Sequence, residues 1–277
     1  MDNYLTVYNE TNDCNYIIED LDIFSYKLDN FQLWSCYKIQ KGENILVTAP
    51  TGSGKTVCAI YGIHNTLKKN KKVIYTSPIK ALANQKYNEF SQRFGKDLVG
   101  IFTGDIKFNP TAQILIVTAE ILRNMLYNDY SNKKENQQFL DITLDEIDTV
   151  IMDEIHYIND YSRGLVWEET LILLPKSIKL IMMSATIDKA ENFAGWIGQL
   201  KQTPINLIQK TTRNVPLNYY YYINDNLVQI GNSDKKFMNY DLINENYKIT
   251  PITKLINPFI DFLQKNNLFP TLLFLFS

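Results

Sequence analysis

Short, wholly apolar runs punctuate the chain: residues 45–48 (ILVT), 73–76 (VIYT), 98–102 (LVGIF), 114–118 (ILIVT), 150–152 (VIM) and 180–183 (LIMM). Runs without polar alternation mark strands buried on both faces, as in a parallel sheet covered by helices. Between them, residues 57–67 and 81–90 carry apolar positions at helical spacing and suit the crossovers of β–α–β units. The pattern predicts α/β architecture: a doubly wound, mostly parallel sheet spanning about residues 27–210, preceded by an N-terminal segment, 1–26. Residues 68–72 (KKNKK) and 131–138 (SNKKENQQ) fall between the periodic segments and read as solvated loops. After Arg213 the string VPLNYYYYIN predicts a new strand, and a helical pattern over 252–263 and an apolar, strand-like run over 271–276 follow. Residues 211–277 are therefore expected to begin a second domain.

Composition narrows the function classes. The 277 residues are 45% hydrophobic and 21% charged, an ordinary globular balance. With 28 Lys and Arg against 30 Asp and Glu, the formal net charge is -2, so a nucleic-acid partner must be held by a local strip of donors. Cys14, Cys36 and Cys58 are far apart, show no C-x-x-C spacing and are odd in number, which points to a reducing, intracellular setting, cytoplasmic or nuclear. The densest apolar run, 271–276, is far short of the roughly 18 residues that span a bilayer, so no membrane partner is expected.

Two motifs carry chemistry on their own residues. Ala49, Pro50, Thr51, Gly52, Ser53, Gly54, Lys55 and Thr56 (APTGSGKT) follow a strand and open a helix. A phosphate chain needs inward-pointing backbone N–H groups, close main-chain approach and the positive end of a helix, and Gly52 and Gly54 permit the first two. Lys55 is then placed for the β- and γ-phosphates of ATP and the Thr56 hydroxyl for Mg²⁺. Ala49 stands where the general pattern has its first glycine and leaves the cradle intact. Asp153 and Glu154, in DEIH, follow the apolar strand at 150–152. Carboxylates at the C-terminal end of a parallel strand face the ligand crevice of an open α/β sheet. Asp153 suits Mg²⁺ and Glu154 suits the orientation or deprotonation of an attacking water, which makes Glu154, Lys55 and Asp153 the catalytic candidates. Ser184-Ala185-Thr186 ends another strand and reads equally as a helix N-cap.

The ordered set APTGSGKT, TSPIKALANQKYNEF, FTGD, VTAEILRNMLY, MDEIHYIND, RGLVWEETLILLP and MSATI resembles the first RecA-like domain of superfamily-two helicases. Within these, it is most similar to the superkiller-type DExH RNA helicases that work with the exosome. The resemblance covers about residues 26–217. It implies a P-loop NTPase that couples ATP hydrolysis to translocation on single-stranded RNA and duplex unwinding. Gln32 is implied as the reader of the adenine edge, with Tyr26 or Phe31 stacking on the base. Ser77, Pro78 and Lys80 match the motif that grips the nucleic-acid backbone, and Gly104, Thr118 and Arg123 match its companions: hydroxyl, backbone and cationic donors that follow phosphates without reading bases. His156, with Ser184 and Thr186, is implied in coupling the nucleotide site to a second lobe, while Trp167, Glu168 and Glu169 read as scaffold.

The later motifs of a second RecA-like domain do not follow, so residues 211–277 are expected to form only its start. The resemblance thus implies a missing helicase lobe, and RNA-decay factors, as partners, and weak hydrolysis by this chain alone. A DNA helicase of the same superfamily and a non-catalytic ATP-binding fragment are the alternatives.

Overall fold

The computed structural model describes residues 4–130, 143–185, 187–223, 226–232 and 252–274. Two compact units divide at Thr212 and Arg213. In the first, nine strands form one sheet in the order β1-β9-β2-β8-β7-β3-β6-β4-β5. They are β1 (Leu5–Asn9), β2 (Asn44–Thr48), β3 (Lys72–Ser77), β4 (Val99–Phe102), β5 (Lys107–Phe108), β6 (Ile114–Thr118), β7 (Ile147–Met152), β8 (Lys179–Ser184) and β9 (Ile205–Gln209). Every neighbouring pair is parallel except β4 with β5. The helices between them are α1 (Asn30–Gln40), α2 (Thr56–Lys68), α3 (Lys80–Phe94), α4 (Ala119–Tyr130), α5 (Gly164–Leu173) and α6 (Ala190–Lys201).

Successive side chains of a strand point to opposite faces, so each apolar run feeds two cores. Ile45, Val47, Val73, Tyr75, Ile114 and Ile116 pack with Phe31, Val57, Ala59 and Phe90 from α1, α2 and α3. Leu46, Ile74, Leu115, Val117, Met152 and Met182 pack with Leu122, Trp167, Leu171 and Ile197 from α4, α5 and α6. Each such side chain, fully buried, contributes about 1.5–3 kcal/mol. This two-faced burial is why the strands carry no alternation, and it fixes the doubly wound, mostly parallel α/β fold.

The sheet reaches back beyond Lys27. β1 pairs in parallel with β9 in register Leu5 to Ile205 through Asn9 to Gln209, so part of the 1–26 segment is an integral edge strand. The short run LTVYN, half polar and only half buried, carries too weak a pattern to announce itself. Of the two charged stretches, the lysines at 68, 69 and 72 are tied by ion pairs to Asp20, Asp148 and Glu146 around the α2–β3 turn. The stretch at 131–138 lies outside the described residues.

In the second unit, β10 (Asn218–Ile223) and β11 (Asn226–Asn232) pair antiparallel with a bulge at Tyr219/Tyr220. The ring of Tyr222 packs 4.9 and 5.0 Å from those of Phe259 and Phe262 on α7 (Ile252–Lys265). The strand expected at 271–276 is not formed where it is described: residues 271–274 have no regular structure and are exposed. An apolar run becomes a strand only when a partner ladder takes its backbone groups.

Candidate nucleotide site and backbone-gripping edge

Parallel strands end at one edge of the sheet, and six neighbouring strands bring the motif residues there in a row. Reading across, β2 leads into the phosphate loop, β8 ends at Ser184, β7 leads to Asp153, β3 ends at Ser77, β6 ends at Thr118 and β4 leads to Gly104. At about 4.8 Å per strand, the row is about 24 Å long, with the candidate nucleotide residues on its first three strands and the candidate backbone-gripping residues on its last three.

The phosphate loop is anchored at both ends. The Ala49 N–H donates to Ser184 O at 3.1 Å. The Ser53 N–H and hydroxyl both donate to Pro50 O, at 3.2 and 2.7 Å. Gly52 and Gly54 hold φ of 82° and 87°, a left-handed conformation that costs an L side chain about 1–2 kcal/mol. Lys55 folds back over the loop, its Nζ 2.7 Å from Ala49 O and 3.2 Å from Pro50 O. An ammonium drawn onto its own loop carbonyls is centred in the cradle where a phosphate anion would be met.

Gln32 is buried on α1 and braces this loop. Its Nε2 donates to Gly54 O at 3.0 Å, and its Oε1 accepts from the Asp29 N–H at 2.9 Å as half of a capping box. Both ends of its amide are thus taken by the protein. A Cβ on Gly54 would stand 2.6 Å from Gln32 Nε2, so any side chain there displaces the Gln32 amide besides straining φ. Of the two aromatic candidates, Phe31 is 1% exposed in the core, which withdraws it from base stacking, whereas Tyr26 is 57% exposed.

Asp153 follows β7, its N–H donating to Thr76 O at 3.1 Å. The Glu154 N–H donates to one carboxylate oxygen at 3.0 Å, and the Tyr75 hydroxyl donates to the other. Burial raises the Asp153 pKa above the usual carboxylate range, opposed by the Tyr75 hydrogen bond and by the charges of Lys86 and Lys55. Burial also raises the Tyr75 phenol well above its usual range, reinforced by the Asp153 charge, so the phenol is the neutral donor of this pair. Glu154 adopts φ 53°, and its Oε2 is buried without a hydrogen bond. Strain and an orphaned buried oxygen at one residue point to a functional group. His156 Nδ1 stands 3.2 Å from that oxygen without directing a hydrogen bond to it, and 3.5 Å from Ser184 Oγ. Thr186 lies outside the described residues.

The residues present fit magnesium and a triphosphate. A threonine hydroxyl and a carboxylate are hard oxygen donors of the kind Mg²⁺ takes alongside phosphate oxygens, and among the described residues no larger His, Cys, Asp and Glu cluster competes for a metal. The orphaned Glu154 oxygen has room in its hydrogen-bonding for a water.

On the other half of the edge, Ser77 and Thr118 are buried. Pro78 O accepts from Arg163 Nη1 at 2.7 Å, a brace from the start of α5 that the sequence pattern did not single out. Lys80 opens α3 with its side chain half exposed and pairs with Asp105 at 2.6 Å, next to Gly104. Arg123 on α4 is held by Glu169 at 3.3 Å and by the Asn124 side chain. Glu169 is therefore scaffold for a cationic donor, and Trp167, 1% exposed, is core. Tyr75, Lys86 and Arg163 are the site residues that sequence reasoning missed. Lys86 and Arg163 left a signal, each standing inside a motif of the ordered set, whereas Tyr75 left none.

Among the described residues no helix is long and apolar enough to cross a membrane. The antiviral helicase SKI2 of Saccharomyces cerevisiae is 40% identical over 234 residues, 82% of this chain and 17% of the relative. The exosome RNA helicase MTR4 of Homo sapiens is 43% identical over 199 residues, 72% of this chain and 18% of the relative. The chain therefore spans under a fifth of the length of these relatives. A solved structure of the DUF1998 helicase MrfA bound to DNA and AMPPNP shares the fold with a TM-score of 0.53 at 21% identity, covering 66% of this chain and 27% of that one. Residues 29–193 match the DEAD/DEAH box helicase family. That match takes in every strand of the nucleotide edge and more than half of the chain, and the chain belongs to the DEAD/DEAH box helicase family.

Proposed function

We propose that the first unit is the ATP-binding lobe of an ATP-dependent RNA helicase, working in a reducing compartment. The observation that carries this reading is the row of strand ends, on which nucleotide residues and phosphate-following donors share one edge and meet between β7 and β3. The names of the relatives, an antiviral helicase and an exosome RNA helicase, support RNA as the nucleic acid and RNA-decay factors as partners. The three free cysteines support the compartment.

In this reading Thr56 and Asp153 hold Mg²⁺, and the phosphate loop with Lys55 binds the β- and γ-phosphates. Bound Mg²⁺ supplies charge neutralisation at the phosphates. Glu154, whose Oε2 accepts no protein hydrogen bond, would orient the attacking water and accept its proton. His156, between Glu154 and Ser184, reports the state of that carboxylate to the neighbouring strand end. Ser77, Pro78, Lys80, Gly104, Thr118 and Arg123 follow the RNA backbone. Gln32 sets the shape of the phosphate loop, and a bound adenine competes for the same amide.

Fluorescence anisotropy with an unstructured RNA and the matching DNA tests this. RNA should bind weakly, lose affinity as salt rises, and lose most of it in Lys80→Ala with Arg123→Ala. Salt-independent binding, binding untouched by the double substitution, or a preference for DNA would overturn the reading.

A further inference from the structure

Lys86 stands in the nucleotide cleft with no part in the assignments above. It lies on α3, with Nζ 3.5 Å from Thr56 Oγ1 and 2.8 Å from Glu89 Oε2, and 5.8 Å from the centroid of the Phe90 ring. Its side chain is 14% exposed, so the ammonium is held in place. The groups it meets are Thr56 from α2 and, on its own helix, Glu89 and the Phe90 ring, with the Asp153 carboxylate after β7 within reach of its charge. Its charge bears on both residues assigned to Mg²⁺: on Thr56 by proximity and on Asp153 through space, where its effect exceeds that of Lys55.

A fixed cation beside hard oxygen donors offsets the cost of burying a carboxylate when no metal is present, and repels a divalent ion that arrives. We propose that Lys86 is the resident counter-ion of the magnesium site, which neutralises the Thr56 and Asp153 end of the cleft and yields to Mg²⁺ by withdrawing onto Glu89. The proposal rests on the Mg²⁺–ATP reading of this cleft. Glu89 is more exposed than Lys86 and already accepts its hydrogen bond, so withdrawal needs only a rotation that breaks the weaker, 3.5 Å approach to Thr56. The device sets the metal concentration at which nucleotide is gripped.

The test measures the Mg²⁺ concentration giving half-maximal binding of a fluorescent ATP analogue to the 277-residue chain. Lys86→Met should lower that midpoint about tenfold, because one positive charge near a divalent ion is removed. Lys86→Arg, which keeps the charge, should stay within about twofold of the parent. Glu89→Gln should raise the midpoint, since it removes the place of withdrawal together with a negative charge. An unmoved or raised midpoint in Lys86→Met overturns the proposal. So does a midpoint that holds while affinity at saturating Mg²⁺ collapses, which makes Lys86 a phosphate ligand. Should the parent chain bind no nucleotide at any Mg²⁺ concentration, or Lys55→Ala bind as the parent does, the underlying Mg²⁺–ATP reading fails instead.

Discussion

Replacing Gly54 by alanine should unsettle more than the phosphate loop. Two costs add. The φ of 87° is a conformation that an L residue holds at about 1–2 kcal/mol. The new Cβ would also stand 2.6 Å from Gln32 Nε2, so the amide must leave. Leaving forfeits the bond to Gly54 O, worth about 0.5–1.5 kcal/mol. It also forfeits the return half of the capping box at Asp29, worth about 0.5–1 kcal/mol. The total is about 2–4.5 kcal/mol, or roughly 4–18 °C in Tm for a unit of about two hundred residues. Gly52→Ala is the control, since its φ of 82° carries the same strain while nothing lies within 4 Å of its Cβ, so it should cost only about 1–2 kcal/mol. Urea unfolding of Gly54→Ala, Gln32→Ala and the double variant completes a thermodynamic cycle. With Gln32 cut back, Gly54→Ala should cost no more than Gly52→Ala does, leaving a coupling of about 1–2.5 kcal/mol. Strict additivity, or equal costs for the two glycine variants, would refute the brace.

Asp105→Asn removes an exposed partner of Lys80, which offers little stability and competes with phosphate, so RNA affinity by anisotropy should rise about two- to fivefold while Tm is unchanged. Glu154→Gln should retain Mg–ATP affinity within about threefold. It should abolish RNA-stimulated phosphate release in a polypeptide that hydrolyses ATP, and loss of binding as well would make Glu154 structural. Burial, helped by Lys179 and Lys176, pulls the Lys201 ammonium down to about 8, and Lys201 donates to Pro175 O. Its proton leaves the folded state before the unfolded one, so stability should rise as pH climbs from about 8 towards 10. In urea titrations that rise should be smaller in Lys201→Met, and an identical slope would show that the ammonium is not desolvated.

Legibility in the sequence followed the range of the interactions. The six inner strands were readable because burial on both faces forces continuous apolar runs, and the phosphate loop was readable because its constraints are local. β9 (INLIQ) broke the pattern with Asn206, which is buried because its amide donates to Asn44 O and to Glu43. β1 depends on β9 for its pairing and was lost with it. The apolar run misled over residues 271–274, since hydrophobicity cannot supply the ladder partner a strand requires. At the site, the residues that sequence could not supply are those joined across the fold: the Tyr75 hydroxyl on Asp153, Arg163 on Pro78 O and Lys86 beside Thr56. The first two are set by the neighbouring ends of β3 and β7, the third by the approach of α2 and α3, and none of these contacts leaves a local pattern in the chain.

The central claim is that residues 49–56 and 153–154 form one magnesium-dependent ATP site. Isothermal titration of Mg–ATP into the parent chain and into Lys55→Ala tests it, because Lys55 is the cation held on the loop, 2.7 Å from Ala49 O. The account predicts saturable, magnesium-dependent binding that weakens at least about fiftyfold in Lys55→Ala, as the loss of a charge-assisted contact to phosphate requires. Equal affinity in the two proteins would contradict it.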